Sequence, residues 1–85
     1  MTRWEVYSKL DCPFCEKAKE LIYSRLRNRQ GEFSIYDITN DPELKKELLE
    51  RVPNAKTVPQ IFFRGEHIGG YDDLVEYIDN TTSFG

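Results

Sequence analysis

Residues 3–15 read Arg3-Trp4-Glu5-Val6-Tyr7-Ser8-Lys9-Leu10-Asp11-Cys12-Pro13-Phe14-Cys15, and the order of these side chains decides the fold. Residues 3–8 alternate in polarity, which predicts a first strand. Lys9 to Cys12 is a loop. Pro13 stands where the first turn of a helix tolerates a residue without an N–H. From there Phe14, Ala18, Leu21, Ile22 and Leu26 recur at helical spacing, so an amphipathic helix is expected to about Asn28, with Gly31 ending the segment. Two cysteines three residues apart thus sit where a strand-following loop opens a helix.

That placement gives the pair its chemistry. A thiolate is the reacting form of cysteine, and the free N–H groups of a helix N-terminus favour negative charge. Cysteines in such motifs have pKa values lowered into a range of about 3.5–7.5. Cys12 lies where that field is greatest, and Lys9 in the same loop adds a cation if it folds back. Cys15 is one turn deeper, expected to be less exposed and less acidic. Cys12 is therefore assigned the attack and Cys15 the release of the product. Half a zinc site is the main alternative, but zinc takes four ligands and the chain offers two Cys and His67. Inert buried cysteines are another. His67 reads as a surface strand residue.

Working outward, residues 33–38 form a second strand candidate, followed by turn residues Thr39 to Pro42. A helix over about 42–51 places Leu44, Leu48 and Leu49 on one face, and Pro53 stops it. Gln60 to Phe63 suits a buried strand, and Arg64-Gly65-Glu66 connects it tightly to His67-Ile68 as a hairpin. Gly69-Gly70 breaks the pattern before a last helix from about Asp72 to Ile78, with Leu74, Val75 and Ile78 inward. Asp73 and Glu76 resemble a capping box, and residues 80–85 read as frayed. The order β-α-β-α-β-β-α, under right-handed crossover rules, gives an α/β fold: a four-stranded mixed sheet with helices on both faces, in one domain over residues 1–85.

Composition sets limits on partners. In 85 residues, 39% hydrophobic and 13% aromatic content is globular. A net charge of -3 argues against nucleic acid as a partner. The densest basic stretch, Arg25, Arg27 and Arg29, reads as cations complementing a helix terminus in water, with a patch for an acidic partner as the alternative. No apolar run is long enough to cross a bilayer, and no apolar signal core follows the first residues, so a cytoplasmic location is expected. In that reducing setting two cysteines are kept for reactivity or metal.

Two more segments bear on the site. Thr57-Val58-Pro59 precedes a strand. With a cis proline it would leave the Val58 N–H and C=O free to bind an extended substrate, and with a trans one it is a plain strand start. Gly69-Gly70-Tyr71-Asp72-Asp73 opens a helix, whose amides suit a carboxylate while a nearby Asp suits an ammonium group; a simple turn with an Asp cap is the other reading.

Together, Val6 to Cys15, Thr57 to Phe63 (TVPQIFF) and His67 to Leu74 (HIGGYDDL) resemble the glutaredoxin family, closest to its small bacterial and viral dithiol members. The resemblance implies a thioredoxin-like fold with Pro59 cis and facing Cys12. It implies a glutathione-dependent thiol–disulfide oxidoreductase, with glutathione as co-substrate and no permanently bound cofactor. Glutathione's cysteine would pair with the Val58 backbone beside Thr57 and Pro59. Its γ-glutamyl end would meet Gly70, Tyr71 and Asp72, and its glycine carboxylate Lys9 and Lys56. Phe14 departs from the family's usual Tyr but keeps an aromatic wall. Cys15 separates the chain from the monothiol branch, which has Ser there. Implied partners are glutathione and disulfide-bearing or glutathionylated proteins, ribonucleotide reductase being a family-typical client, with the chain a monomer. Two alternatives stand beside this: a redoxin reduced by thioredoxin reductase, and a glutathione-ligated iron–sulfur carrier dimer.

Overall fold

Alternation along the first strand sorts the two faces of the sheet. The computed structural model describes residues 4–25 and 33–82. Its elements are β1 (Trp4–Ser8), α1 (Pro13–Arg25), β2 (Phe33–Asp37), α2 (Pro42–Arg51), β3 (Gln60–Phe63), β4 (Glu66–Gly69) and α3 (Tyr71–Thr82). The sheet runs β2-β1-β3-β4, with β2 parallel to β1 and the other pairs antiparallel. Trp4 and Val6 of β1 join Ile61 of β3, Ala18 and Ile22 of α1, and Leu74 and Ile78 of α3 in one buried cluster. Tyr7 and Phe62, one residue along each strand, face the other way and pack with Leu48 of α2. The expected sheet with helices on both faces is what forms, with α1 and α3 on one side and α2 on the other. Each large apolar side chain buried this way contributes about 1.5–3 kcal/mol, which matters in a chain whose core is two thin layers.

The α2 face also holds a charged bridge that the strand pattern does not announce. Arg51 donates to both carboxylate oxygens of Glu5 at 3.2 Å, and to the Tyr7 hydroxyl at 3.0 Å. Its guanidinium lies 3.7 Å from the centre of the Phe62 ring. Tyr7 in turn donates to Glu47 at 2.6 Å. Helix α2 is thereby tied to β1 by charge as well as by Leu48.

Local chemistry sets the element ends. In α2, Pro42 starts the helix and the Asp41 carboxylate accepts from the Leu44 N–H at 3.0 Å, a side-chain cap. Arg64 and Gly65, with φ of 53° and 82°, make the two-residue turn between β3 and β4, so Glu66 belongs to the strand. At α3 the capping register differs from expectation. Asp73 lies inside the helix and its carboxylate accepts from the Gly70 N–H at 3.1 Å, so the box is Gly70 with Asp73 and not Asp73 with Glu76. The helix starts one residue earlier than expected and stays helical through Thr82.

Leu49 is a further correction. Adjacent helix positions point about 100° apart, and with Leu48 turned inward Leu49 is 39% exposed. Phe14 leaves the α1 stripe in the same way, 54% exposed. Arg3, Leu26, Arg27, Asn28, Arg29, Gly31 and residues 83–85 lie outside the described residues, as does the side chain of Arg25.

Candidate active site

The turn from β1 into α1 is built to present one sulfur. Asp11 takes a left-handed conformation, φ 56°, that short polar residues tolerate, and it swings Cys12 into the position just before the first helical residue. The Cys12 carbonyl accepts the first helical bond, from Glu16 N–H at 3.1 Å. The Cys12 sulfur accepts from the Cys15 N–H at 3.2 Å. A cysteine sulfur thus takes the place that Ser or Asp holds in an ordinary helix cap, and one orphan amide of the first turn points at it. On its other side the Cys12 thiol donates to the Val58 carbonyl at 3.6 Å.

Cys12 is less open than the sequence suggests, with 7% of its surface exposed, because the Val58 carbonyl and the helix start close over it. What remains lines a hollow shared with Lys9, Leu10 and Asp37. Cys15 is fully buried. Burial, followed by its hydrogen bond with Cys12, pushes the Cys15 thiol up to about 12, so it holds its proton at neutrality. Both cysteines are free thiols. The two roles drawn from position, an attacking and a resolving thiol, fall on two different environments.

The other named residues line two further hollows, which the Val58 carbonyl links to the Cys12 sulfur. Phe14, residues 57–59 and residues 70–73 line one hollow of about 320 Å³, with the Phe14 and Tyr71 rings 5.9 Å apart. The Val58–Pro59 bond is cis, and the Val58 carbonyl faces Cys12 as described. Lys9 and Lys56 lie on a second hollow that shares Thr57 and Val58 with the first. One expectation is modified. The Gly70 N–H is occupied by Asp73, and the amides of Tyr71 and Asp72 fall in the first turn of α3, where helical N–H groups lack intrahelical partners. Gly69 has φ 124°, and a Cβ there would collide with the Asp73 carboxylate, so glycine is required.

His67 is exposed on β4 as expected, but it has a partner. Its Nε2 lies 2.7 Å from Gln60 Oε1, and the Gln60 amide donates to the Thr57 carbonyl at 2.9 Å. Gln60 therefore braces the Thr57–Val58 loop from beneath, a role invisible in a strand read only for its apolar residues. Among the described residues, no helix is long and apolar enough to cross a membrane.

A dithiol at a helix start, facing a cis-proline loop beside a glycine-led helix, has a counterpart in known proteins: the glutaredoxin family model matches residues 5–68. This chain belongs to the glutaredoxin family. Its relatives include glutaredoxin-1 of ectromelia virus, 38% identical over 82 residues, covering 94% of this chain and 74% of that one. Glutaredoxin-1 of vaccinia virus strain Copenhagen is 37% identical with the same coverage. Among solved structures, reduced glutaredoxin of Escherichia coli superposes with a TM-score of 0.78 at 28% identity, covering 94% of this chain and 96% of that one. A buckwheat glutaredoxin–glutathione complex gives 0.74 at 26% identity, covering 93% and 70%. As a glutaredoxin with both cysteines of its motif, the chain is a thiol–disulfide oxidoreductase on a thioredoxin-like fold.

Proposed function

We propose that this glutaredoxin reduces glutathione mixed disulfides and protein disulfides with glutathione as its electron source. The observation that carries this reading is the Cys12 sulfur held between the Cys15 amide and the Val58 carbonyl, at the side of a groove running from Lys9 and Lys56 to Tyr71 and Asp72. On a glutathionylated protein, the Cys12 thiolate attacks the glutathione sulfur. A Cys12–glutathione disulfide forms and the protein thiolate leaves. A second glutathione thiolate attacks that glutathione sulfur, forming glutathione disulfide and returning Cys12 as thiolate. On a protein disulfide, Cys12 attacks one client sulfur and the other leaves as thiolate. Cys15 gives its proton to a thiolate of the departing client and attacks Cys12, and the resulting Cys12–Cys15 disulfide is reduced by two glutathiones.

In this reading the glutathione cysteine pairs with the Val58 backbone beside Thr57 and Pro59. The γ-glutamyl carboxylate takes the first amides of α3 at Tyr71 and Asp72, next to Gly70, and its ammonium group takes the Asp72 carboxylate. The glycine carboxylate takes Lys9 and Lys56, and Phe14 walls the sulfur. The chain acts as a monomer in the cytoplasm, with ribonucleotide reductase among its clients.

Turnover with glutathione tests this on wild type, Cys12→Ser and Cys15→Ser. Cys12→Ser is expected to abolish activity on every substrate. Cys15→Ser is expected to keep it on a glutathionylated peptide and lose it on a client dithiol–disulfide. Activity surviving Cys12→Ser, or faster reduction by thioredoxin reductase than by glutathione, would overturn the proposal.

A further inference from the structure

The second hollow is larger than the end of a glutathione molecule requires. It measures about 370 Å³ and lies between the β1–α1 loop, Lys45, Leu48 and Leu49 of α2, and residues 55–58. Its apolar side is made by Ile38, Leu48 and Leu49, the last being the α2 leucine that turns out of the core. Its charged lining residues are Lys9, Lys45 and Lys56, with no carboxylate among them. That is a local reversal in a chain with 15 acids against 12 bases. On the reading proposed above, the glycine carboxylate of glutathione uses Lys9 and Lys56. The tripeptide has no aliphatic side chain to cover Leu49, and no further carboxylate on this side for Lys45.

We infer that this hollow selects the protein part of the substrate: a client segment that carries an aliphatic side chain and a carboxylate next to its disulfide cysteine. The inference rests on the proposed glutathione reaction and deepens it. Charge complementarity names the occupant, since Lys45, left over beside the two lysines that glutathione uses and with no carboxylate among the hollow's described lining residues, attracts an acidic segment and repels a basic one. Continuity supplies the route. Thr57 and Val58 line both hollows, and the Val58 carbonyl is 3.6 Å from the Cys12 sulfur. A segment lying along the second hollow therefore holds its neighbouring cysteine, the leaving group of the glutathione mixed disulfide, beside the sulfur that Cys12 attacks. Leu49 offers an anchor for the aliphatic side chain, and the exposed Leu10, 62% accessible, lines the same hollow from the loop.

The test uses three substrates: a glutathionylated peptide with Leu and Asp beside its cysteine, the same peptide with Lys in place of Asp, and the glutathione mixed disulfide of cysteamine. Wild type is expected to favour the acidic peptide by about tenfold in kcat/KM, a preference that shrinks as salt is added. Lys45→Glu is expected to reverse the order of the two peptides, and Leu49→Ser to weaken both. Both variants are expected to turn over the cysteamine substrate at wild-type rates. Equal kcat/KM for the two peptides in wild type, or a parallel loss on the cysteamine substrate in the variants, would overturn the inference. Wild type that binds the acidic peptide over the basic one, yet turns over no glutathione substrate, would support this docking site and sink the glutathione reading alone.

Discussion

At the scale of single residues, burial separates groups that share a chemistry. Cys15 and Tyr7 are both sealed from water, and both hold their protons unusually well. Burial, aided by its hydrogen bond with Cys12, puts Cys15 at about 12; burial, aided by donation to Glu47, lifts Tyr7 from 10.0 to about 12. The sign follows from which state releases its proton first. Below the unfolded values, about 8.5 for Cys and about 10 for Tyr, both states are protonated and the contribution is constant. As pH climbs from there towards 12, the unfolded chain loses protons that the native state keeps, so stability falls. Each retained proton costs about 1.4 kcal/mol per pH unit in that window. Urea midpoints of the reduced protein between pH 8 and 11 are expected to decline, and Tyr7→Phe to flatten the decline above pH 10. An unchanged slope in Tyr7→Phe would contradict the assignment.

At the scale of elements, helix starts do the positioning, and they differ in how legible they are. The turn residues up to Pro42 mark the start of α2 in the sequence, and Asp41 caps it there. Cys12 before Pro13 announces α1, but the cap is the reactive sulfur itself, which no capping rule would nominate. At α3 an Asp three residues before a Glu suggested a box one turn too late, because a glycine can hold the cap position with no side chain to mark it. The sulfur cap has a measurable consequence. Serine in place of Cys12 keeps an acceptor for the Cys15 amide and alanine does not, so Cys12→Ala is expected to be less stable than Cys12→Ser by about 1 kcal/mol. Urea denaturation of the two inactive variants measures this, and equal midpoints would show that the sulfur does not cap α1.

At the scale of the whole molecule, periodicity and turn residues carried the element order, the mixed sheet and its two helix layers, because alternation in β1 and β3 dictates which side chains share a face. The motif, the proline loop and the glycine pair stood out for a similar reason: each lies where an element begins, at the starts of α1, β3 and α3. What escaped the sequence were contacts between residues far apart in the chain. The Arg51 bridge to Glu5 and Tyr7 and the closure of Val58 over Cys12 both depend on packing distance, not on local pattern. The last of these leaves Cys12 only a narrow opening, and Cys15 none. Two identical side chains three residues apart thus differ by where the assembled fold puts them. Brief alkylation of the reduced native protein with iodoacetamide at pH 7, followed by peptide mapping, reads that difference directly. The expected result is modification of Cys12 with Cys15 untouched and activity lost in step; labelling of Cys15 first, or of both at equal rates, would contradict it.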